Sequence, residues 1–217
     1  MFKGLILSIF MLLSFFSLIV ISSTTITIAN IYKPQPIAYS ISTGEWNWVK
    51  RADIATKWFQ RMGYRIDNTT INPSLEDIKS IQNASVLFII AHGSWGYFDF
   101  GNYTLWYYNI SELLDHQLGF VFLHGCESMC GQGEETLSYQ FRKGLNKNTA
   151  VVGSCGFQTE EGDECWNISY EWIDTFFNYT SQGLTVKESL TRTNEDYPVC
   201  KGIYRFEGDE NLRLNLY

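Results

Sequence analysis

The chain has 217 residues, 45% of them apolar, which is enough for one sizeable core and too few for two comfortable domains. Its formal net charge is -7 and its pI is about 5.0, and the sequence has no basic stripe. These values argue against a nucleic-acid-binding surface.

The first 29 residues form a separate unit. Lys3 precedes a nearly unbroken apolar run from Gly4 to Ile21, which is typical of a signal peptide or an N-terminal membrane anchor. Both interpretations stay open, because the run is long for a signal peptide and the sequence ending at Ala29 is a poor cleavage site. Either one predicts an exported chain, extracellular or at the cell surface, that contacts the membrane through this segment if it is not cleaved.

Two further features agree with export. Six Asn-x-Ser/Thr sequons are candidates for glycosylation, although an Asn- and Thr-rich composition also makes sequons by chance: Asn68, Asn83, Asn102, Asn109, Asn167 and Asn178. The chain also has five cysteines. Outside the cell we expect four of them to form two disulfides and one to stay reduced. If Cys126 is the reactive thiol, the paired ones are Cys130, Cys155, Cys165 and Cys200, with a connectivity that the sequence does not give.

Strand and helix patterns alternate from residue 35 to residue 217, which we take as one domain. Ile37 to Ile41 predicts a first strand, and apolar residues at helical spacing from Trp48 to Met62 predict a helix that ends at Gly63. A brief strand at 64–66 follows, and then a short helix that opens with a Ser-x-x-Asp capping box at residues 74–77.

The central part of the chain contains two short apolar runs that predict strands buried on both faces of a parallel sheet. The run from Val86 to Ala91 ends in His92-Gly93, and the run from Phe120 to Leu123 ends in His124-Gly125-Cys126. An aromatic loop (95–108) and a short helix near 111–114 are expected between them. Because chemistry collects at the carboxyl edge of parallel sheets, the pattern predicts His92 and Cys126 on one edge.

The remainder continues the alternation. We expect a helix ending near Gly144, a strand at 150–152, an acidic loop, a helix over residues 170–177 and a further helix with a capping box at Thr185 and Glu188. The tail alternates on both sides of Gly208-Asp209, which predicts a hairpin or two short edge strands. The fold class is therefore α/β, a doubly wound, mostly parallel sheet sandwiched by helices, with a short C-terminal hairpin.

His92 and Cys126, which are expected at the same edge of the sheet, form a candidate Cys–His dyad. A cysteine nucleophile needs thiolate character, which an imidazole supplies, and it needs N–H donors aimed at the oxyanion that forms on attack. Cys126 is the candidate nucleophile and His92 the general acid/base, and the N–H groups of Gly93 and Cys126 are the candidate oxyanion hole.

Other chemistries fit the sequence less well. A zinc site from His92, His124 and Cys126 lacks familiar ligand spacing, so we expect no metal. Gly153-Ser154-Cys155-Gly156 does not match the serine-hydrolase elbow. No Gly-rich phosphate loop follows the first strand, so no nucleotide cofactor is expected.

The two motifs FIIAHGS and FVFLHGCES resemble the caspase–gingipain–clostripain superfamily of cysteine peptidases, gingipain-type in particular. The segment AVVGSCGF, the phrase from Phe176 to Leu190 and the tail IYRFEGDENLRL are also similar to family segments, so the likeness covers roughly residues 35–217.

The resemblance implies a caspase-like fold and an endopeptidase that cleaves protein or peptide substrates through a thioester, with His92, Cys126 and Gly93 in the roles given above. It places the substrate pocket in the loop from Gly153 to Glu164. The pocket candidates are Ser154, Glu160, Glu161 and Asp163; the three acids would favour Arg or Lys. We favour the interpretation of this loop as a solvated acidic surface, which a disulfide between Cys155 and Cys165 would close if the two paired.

Two further questions stay open. His124 could tune the site or pack in the core. The alternative function for the whole chain is a catalytically silent extracellular glycoprotein that acts as a binding or scaffold protein.

Overall fold

A mainly parallel sheet flanked by helices forms the core of the protein. This computed structural model describes residues 35–113, 118–143, 148–156 and 164–214, and from Pro36 onwards they belong to one compact unit. The strands are β1 (Ile37–Ser42), β2 (Arg65–Ile71), β3 (Val86–Ile90), β4 (His92–Ser94), β5 (Tyr97–Asp99), β6 (Thr104–Trp106), β7 (Phe120–His124), β8 (Ala150–Ser154) and β9 (Tyr204–Gly208). The helices are α1 (Trp46–Arg61), α2 (Leu75–Lys79), α3 (Tyr107–Leu113), α4 (Leu137–Arg142), α5 (Glu164–Asn167), α6 (Ser169–Ser181) and α7 (Val186–Asp196), with 3-10 turns at 80–83 and 198–200.

Six of these strands form the main sheet in the order β2-β1-β3-β7-β8-β9. The first five strands run parallel to their neighbours, and β9 pairs antiparallel with β8. All residues of β3, β7 and β8 are buried, as expected for strands that are covered on both faces. The predicted doubly wound, mostly parallel α/β class is confirmed.

An aromatic cluster joins the sheet to helix α6. The rings of Phe88 and Phe122 lie 5.1 Å apart, and Phe177 of α6 packs 6.0 Å from Phe122. On the same helix face Phe177 also contacts Phe59 of α1, with ring centroids 5.2 Å apart. Burying an aromatic side chain of this size contributes about 1.5–3 kcal/mol, so the cluster fixes α1 and α6 over the central strands.

Three predicted helix ends are confirmed, and Gly144, near which another helix is expected to end, lies outside the described residues. Gly63 has φ 94° just after α1, and Tyr64 N donates to Phe59 O across it, which is the bond of a glycine C-cap. Capping boxes open α2 at Ser74 and α7 at Thr185. The sequence predicts these helix ends because each capping signal depends on residues only three or four positions apart.

Two predicted segments differ in the structure. The expected aromatic loop (95–108) is a three-stranded antiparallel ribbon, β4-β5-β6, and the helix after it begins at Tyr107 rather than near Ser111. In the tail, the edge strand is confirmed as β9, whereas the hairpin is not. After β9, Arg213 forms an isolated antiparallel bridge with Thr185, and β9 itself pairs with β8.

Within the described part of the chain, no helix is long and apolar enough to cross a membrane. The apolar segment 1–29, where the sequence predicts a signal peptide or anchor, lies outside the described residues.

Candidate active site

The strand register places His92 and Cys126 at one edge of the sheet. Ile90 of β3 pairs with His124 of β7, so each dyad residue follows its paired residue by two positions on adjacent parallel strands. Ala91 N also donates to His124 O at 3.3 Å, which extends the contact between the two chain segments past the end of β3. The predicted juxtaposition at the carboxyl edge therefore matches the backbone pairing.

Two glycines allow this close approach. A Cβ at Gly125 would lie 2.8 Å from the Ala91 carbonyl oxygen and 2.4 Å from Phe98 Cε1. A Cβ at Gly93 would lie 2.4 Å from the Tyr97 carbonyl oxygen, again with Phe98 close by. Phe98 is fully buried, so its ring fills the space beneath both dyad loops. Larger residues at either glycine would push the loops apart.

The imidazole of His92 has a carboxylate partner that the sequence analysis missed. His92 Nε2 lies 2.9 Å from Glu45 Oε1, and the His92 ring packs 4.5 Å from the ring of Trp48. The His92 side chain is 63% exposed, so it remains open to a ligand. Glu45 immediately precedes α1 and follows the carboxyl end of β1. This position, after the strand beside the one that leads to His92, is the sequence signal from which Glu45 could have been predicted.

Cys126 lies half-buried on the turn that follows β7 and belongs to neither disulfide. Glu127 N donates to Gly156 O at 3.1 Å, and Met129 N donates to Ser154 O at 2.8 Å, which fastens this turn to the end of β8. Glu127 has φ 53°, a left-handed conformation that is uncommon for a non-glycine residue. The turn holds a sparsely populated backbone geometry directly beside the candidate nucleophile.

Ser154, a pocket candidate, lies beneath the turn that bears Cys126. It is fully buried, and its hydroxyl donates to the Gly125 carbonyl oxygen. Ser128, also buried, donates to Leu123 O at 2.8 Å and to Ser154 O at 3.2 Å. Because a short polar side chain under a turn can satisfy carbonyls that the strands leave open, Ser154 supports the turn from below. The other candidates, Glu160, Glu161 and Asp163, lie outside the described residues.

The structure pairs the four cysteines other than Cys126, as expected. The bonds are Cys130–Cys155 and Cys165–Cys200. The suggested staple between Cys155 and Cys165 is therefore wrong. Cys155 instead lies opposite the nucleophile turn at the end of β8, and Cys165 on α5 reaches the 3-10 turn before β9.

His124 packs in the core. Its ring is fully buried between Trp166 and Tyr204, at centroid distances of 5.6 and 5.8 Å, and its Nδ1 lies 3.3 Å from the Tyr204 hydroxyl. Its Nε2 is buried and has no hydrogen-bond partner among the described residues. Burial, reinforced by the nearby Arg51 guanidinium, holds the pKa of His124 well below its ordinary value of 6.5.

Arg51 closes this region from the side of α1. It is 1% exposed, its Nε donates to Ser169 Oγ at 2.8 Å, and its Nη2 donates to Trp166 O at 3.0 Å. The guanidinium also stacks on the rings of Trp166 and Tyr170, at 3.8 and 3.9 Å. Because His124 is enclosed among these core side chains, it is not open to act as the third ligand of the zinc site considered from the sequence. No group of three His, Cys, Asp or Glu side chains in the described ranges is placed to hold a metal ion.

The sequons lie mainly on the surface. Asn83, Asn102, Asn167 and Asn178 are exposed, whereas the Asn109 side chain accepts a hydrogen bond from Trp106 N. The side chain of Asn68 lies outside the described part of the structure. Occupancy of these sites by glycans stays a prediction.

Comparisons with known proteins give a distant likeness in structure alone. No protein-family model matches the chain, and no curated protein matches it. Among solved structures, the crystal structure of drICE is similar at a TM-score of 0.48 and 12% identity, over 82% of this chain and 89% of that one. The structure of pro-sf-caspase-1 is similar at a TM-score of 0.43 and 13% identity, over 73% and 75% of the two chains. At this distance the function has to be argued from the site itself.

Proposed function

We propose that the protein is a cysteine endopeptidase with Cys126 as nucleophile and His92 as general acid/base. The observation that carries the proposal is the position of these two residues, each two positions past a paired residue on adjacent parallel strands, with Glu45 bound to His92 Nε2. The sequence likeness to cysteine peptidases carried by FIIAHGS and FVFLHGCES supports the same assignment.

The contact with Glu45 assigns roles to the two imidazole nitrogens. With Nε2 held by the carboxylate, Nδ1 is the atom left to exchange a proton with the thiol. Glu45 would orient the ring and stabilise the imidazolium that forms, as the third member of a hydrolase triad does. We therefore add Glu45 to the dyad as a positioning residue.

The reaction follows from these roles. The Cys126 proton passes to His92 Nδ1, and the thiolate attacks the substrate carbonyl carbon. The N–H groups of Gly93 and Cys126 would hold the oxyanion. Collapse of the tetrahedral intermediate breaks the C–N bond while His92 returns the proton to the leaving amine. The acyl part of the substrate stays on Cys126 as a thioester. Water, deprotonated by His92, then hydrolyses the thioester and releases the acid.

The place of action that we propose is outside the cell or at its surface. Two disulfides in a chain of this size are typical of an oxidising compartment. The substrates would be proteins or peptides in that space. Contact with the membrane through residues 1–29 remains part of this proposal.

A thiol-reactive peptide probe tests the proposal on the folded, disulfide-bonded protein. We expect labelling at Cys126 that is abolished in Cys126→Ala and reduced at least about 100-fold in His92→Ala, because general acid–base help is worth about 10²–10⁴ in rate. His92 is exposed, so its loss should leave the protein folded, which circular dichroism would check.

Equal labelling of the wild type and His92→Ala would contradict the dyad. No labelling of the wild type by peptide probes of any sequence, with Cys126 still accessible to a small alkylating reagent, would favour the catalytically silent glycoprotein instead.

A further inference from the structure

The peptide group between Gly125 and Cys126 is held at its carbonyl end. The Gly125 carbonyl oxygen accepts two hydrogen bonds, one from the Ser154 hydroxyl and one from Ser128 N at 3.3 Å. A carbonyl oxygen has two lone pairs, so both acceptor positions of this group are used. Of the two bonds, the one from Ser154 comes from a side chain, and it joins β8 to the segment that follows β7.

The position of Ser154 follows from the close approach of β8 to β7. Gly153 pairs with Leu123 in the sheet, and a Cβ at Gly153 would lie only 2.7 Å from the Leu123 carbonyl oxygen. Because no side chain intervenes there, the carboxyl end of β8 fits beneath the turn that bears Cys126. Ser154, the next residue, is fully buried and reaches the Gly125 carbonyl across this contact.

A hydrogen bond at one end of a peptide group also fixes the direction of the other end. The peptide group is planar and trans, so its C=O and its N–H point in opposite directions. With the Gly125 carbonyl directed towards the buried Ser154 hydroxyl, the N–H of Cys126 points away from Ser154 and from the interior beneath the turn. This N–H is one of the two that the proposed reaction assigns to the oxyanion.

Other peptide groups of the same turn have the reverse orientation. Glu127 N donates to Gly156 O at 3.1 Å, and Met129 N donates to Ser154 O at 2.8 Å, so both N–H groups face the end of β8. The peptide group before Cys126 instead directs its carbonyl towards β8, and a carbonyl in that direction needs a donor on β8. The Ser154 side chain supplies this donor.

We propose that Ser154 is a positioning residue for oxyanion stabilisation, because its hydroxyl holds the Gly125 carbonyl so that the Cys126 N–H is aimed at the substrate oxygen. This role rests on the proposed peptidase function and replaces the pocket role that the sequence suggests for Ser154. Donors that are already oriented do not have to turn when negative charge develops on the substrate. Ser154 itself does not touch the substrate and acts through the Gly125–Cys126 peptide group.

The test compares two small reagents on the folded, disulfide-bonded protein. p-Nitrophenyl acetate acylates a thiol through a tetrahedral oxyanion, whereas iodoacetamide alkylates it by displacement of iodide, without an oxyanion. The ratio of the two second-order rates at Cys126 therefore reports oxyanion stabilisation, because a change in thiol ionisation or access affects both reactions. Cys126→Ala gives the background reaction of each reagent with the rest of the protein.

Ser154→Ala removes one hydroxyl and should lower this ratio about tenfold, a part of the roughly 10²–10³-fold that is lost with a complete oxyanion donor. Ser128→Ala is the matched control. Ser128 is also fully buried beneath the turn, but its hydroxyl donates to Leu123 O and Ser154 O, the carbonyls of other peptide groups. Its loss should leave the ratio unchanged. Circular dichroism would check that both variants fold.

An unchanged ratio in Ser154→Ala, or an equal fall in Ser128→Ala, would overturn the positioning role of Ser154. Either result would leave the peptidase in place if the peptide probe still labels Cys126 in a way that depends on His92. If Cys126 instead labels independently of His92 while Ser154→Ala alone lowers the ratio, the peptidase is overturned and the positioning of the Cys126 N–H is not.

Discussion

At the residue scale, Glu45 has the clearest effect on the proposed chemistry. Its Oε1 lies 2.9 Å from His92 Nε2, and it lies at the start of α1, where the first turn contains no other acidic residue. The ring of Trp48 packs against the same imidazole in a tilted arrangement, with ring centroids 4.5 Å apart. The imidazole thus contacts a carboxylate and an indole while most of it faces solvent.

Glu45→Gln should slow labelling of Cys126 by about tenfold without unfolding the protein. The amide keeps a hydrogen bond to Nε2 and loses the charge that stabilises the imidazolium, which is a part of the full acid–base contribution. The measurement is the second-order rate of reaction with the peptide probe. Glu76→Gln is a suitable control, because Glu76 pairs with Lys79 on the surface in a comparable exposed contact. An unchanged rate in Glu45→Gln would show that Glu45 does not assist His92.

At the scale of elements, the two disulfides differ in what they hold. The bond Cys130–Cys155 joins the turn that follows the nucleophile to the end of β8. The bond Cys165–Cys200 joins α5 to the 3-10 turn before β9. The first therefore fixes the position of Cys126 and the second closes the outer part of the domain.

Removing either disulfide should lower the free energy of unfolding by a similar amount, about 3–4 kcal/mol for loops of 25 and 35 residues. The double variant Cys130→Ser/Cys155→Ser should also slow labelling of Cys126, because the turn loses its covalent link to β8. Cys165→Ser/Cys200→Ser is the matched control and should keep the wild-type rate. Denaturant unfolding and probe kinetics give the two readouts. Equal slowing in both variants would mean that general loosening, rather than the turn, sets the rate.

Much of the element order could be predicted because its signals are local. Continuous apolar runs identify β3 and β7, and the residues directly after them, His92 and Cys126, identify the candidate site. The ribbon was missed because its three strands have three residues each, too short for alternation to show. Glu45 and the disulfide connectivity were missed for another reason. Both depend on contacts between segments far apart in sequence, such as Glu45 and His92, which are 47 positions apart.

At the scale of the whole molecule, His124 links stability to pH. The folded protein keeps this buried histidine neutral, because its pKa lies well below 6.5, whereas the unfolded chain binds a proton there near pH 6.5. The unfolded state therefore binds more protons below this pH, and the free energy of unfolding falls as the pH drops below about 6.5. The slope for this one group approaches about 1.4 kcal/mol per pH unit.

His124→Phe should remove this slope between pH 6.5 and 5 while keeping the ring stack with Trp166 and Tyr204. The measurement is denaturant unfolding at several pH values for both proteins, with His124→Leu as a second variant if the larger ring is not tolerated. The other two histidines, His92 and His116, are present in both proteins, so the difference isolates His124. Parallel pH profiles would show that His124 is protonated in the folded state as readily as in the unfolded chain.

The pairing of β9 with β8 affects the order in which the parts of the candidate site fold during synthesis. Tyr204, the first residue of β9, stacks on His124 two residues before the nucleophile, and Ile203 O accepts the hydrogen bond from Cys155 N. A nascent chain that has emerged only as far as α7 already carries His92 and Cys126 but lacks these supports. Because such a chain leaves the edge of β8 uncovered, maturation of the turn that bears Cys126 is coupled to the synthesis of β9. The candidate nucleophile would reach its final position only after β9 has left the ribosome and paired with β8.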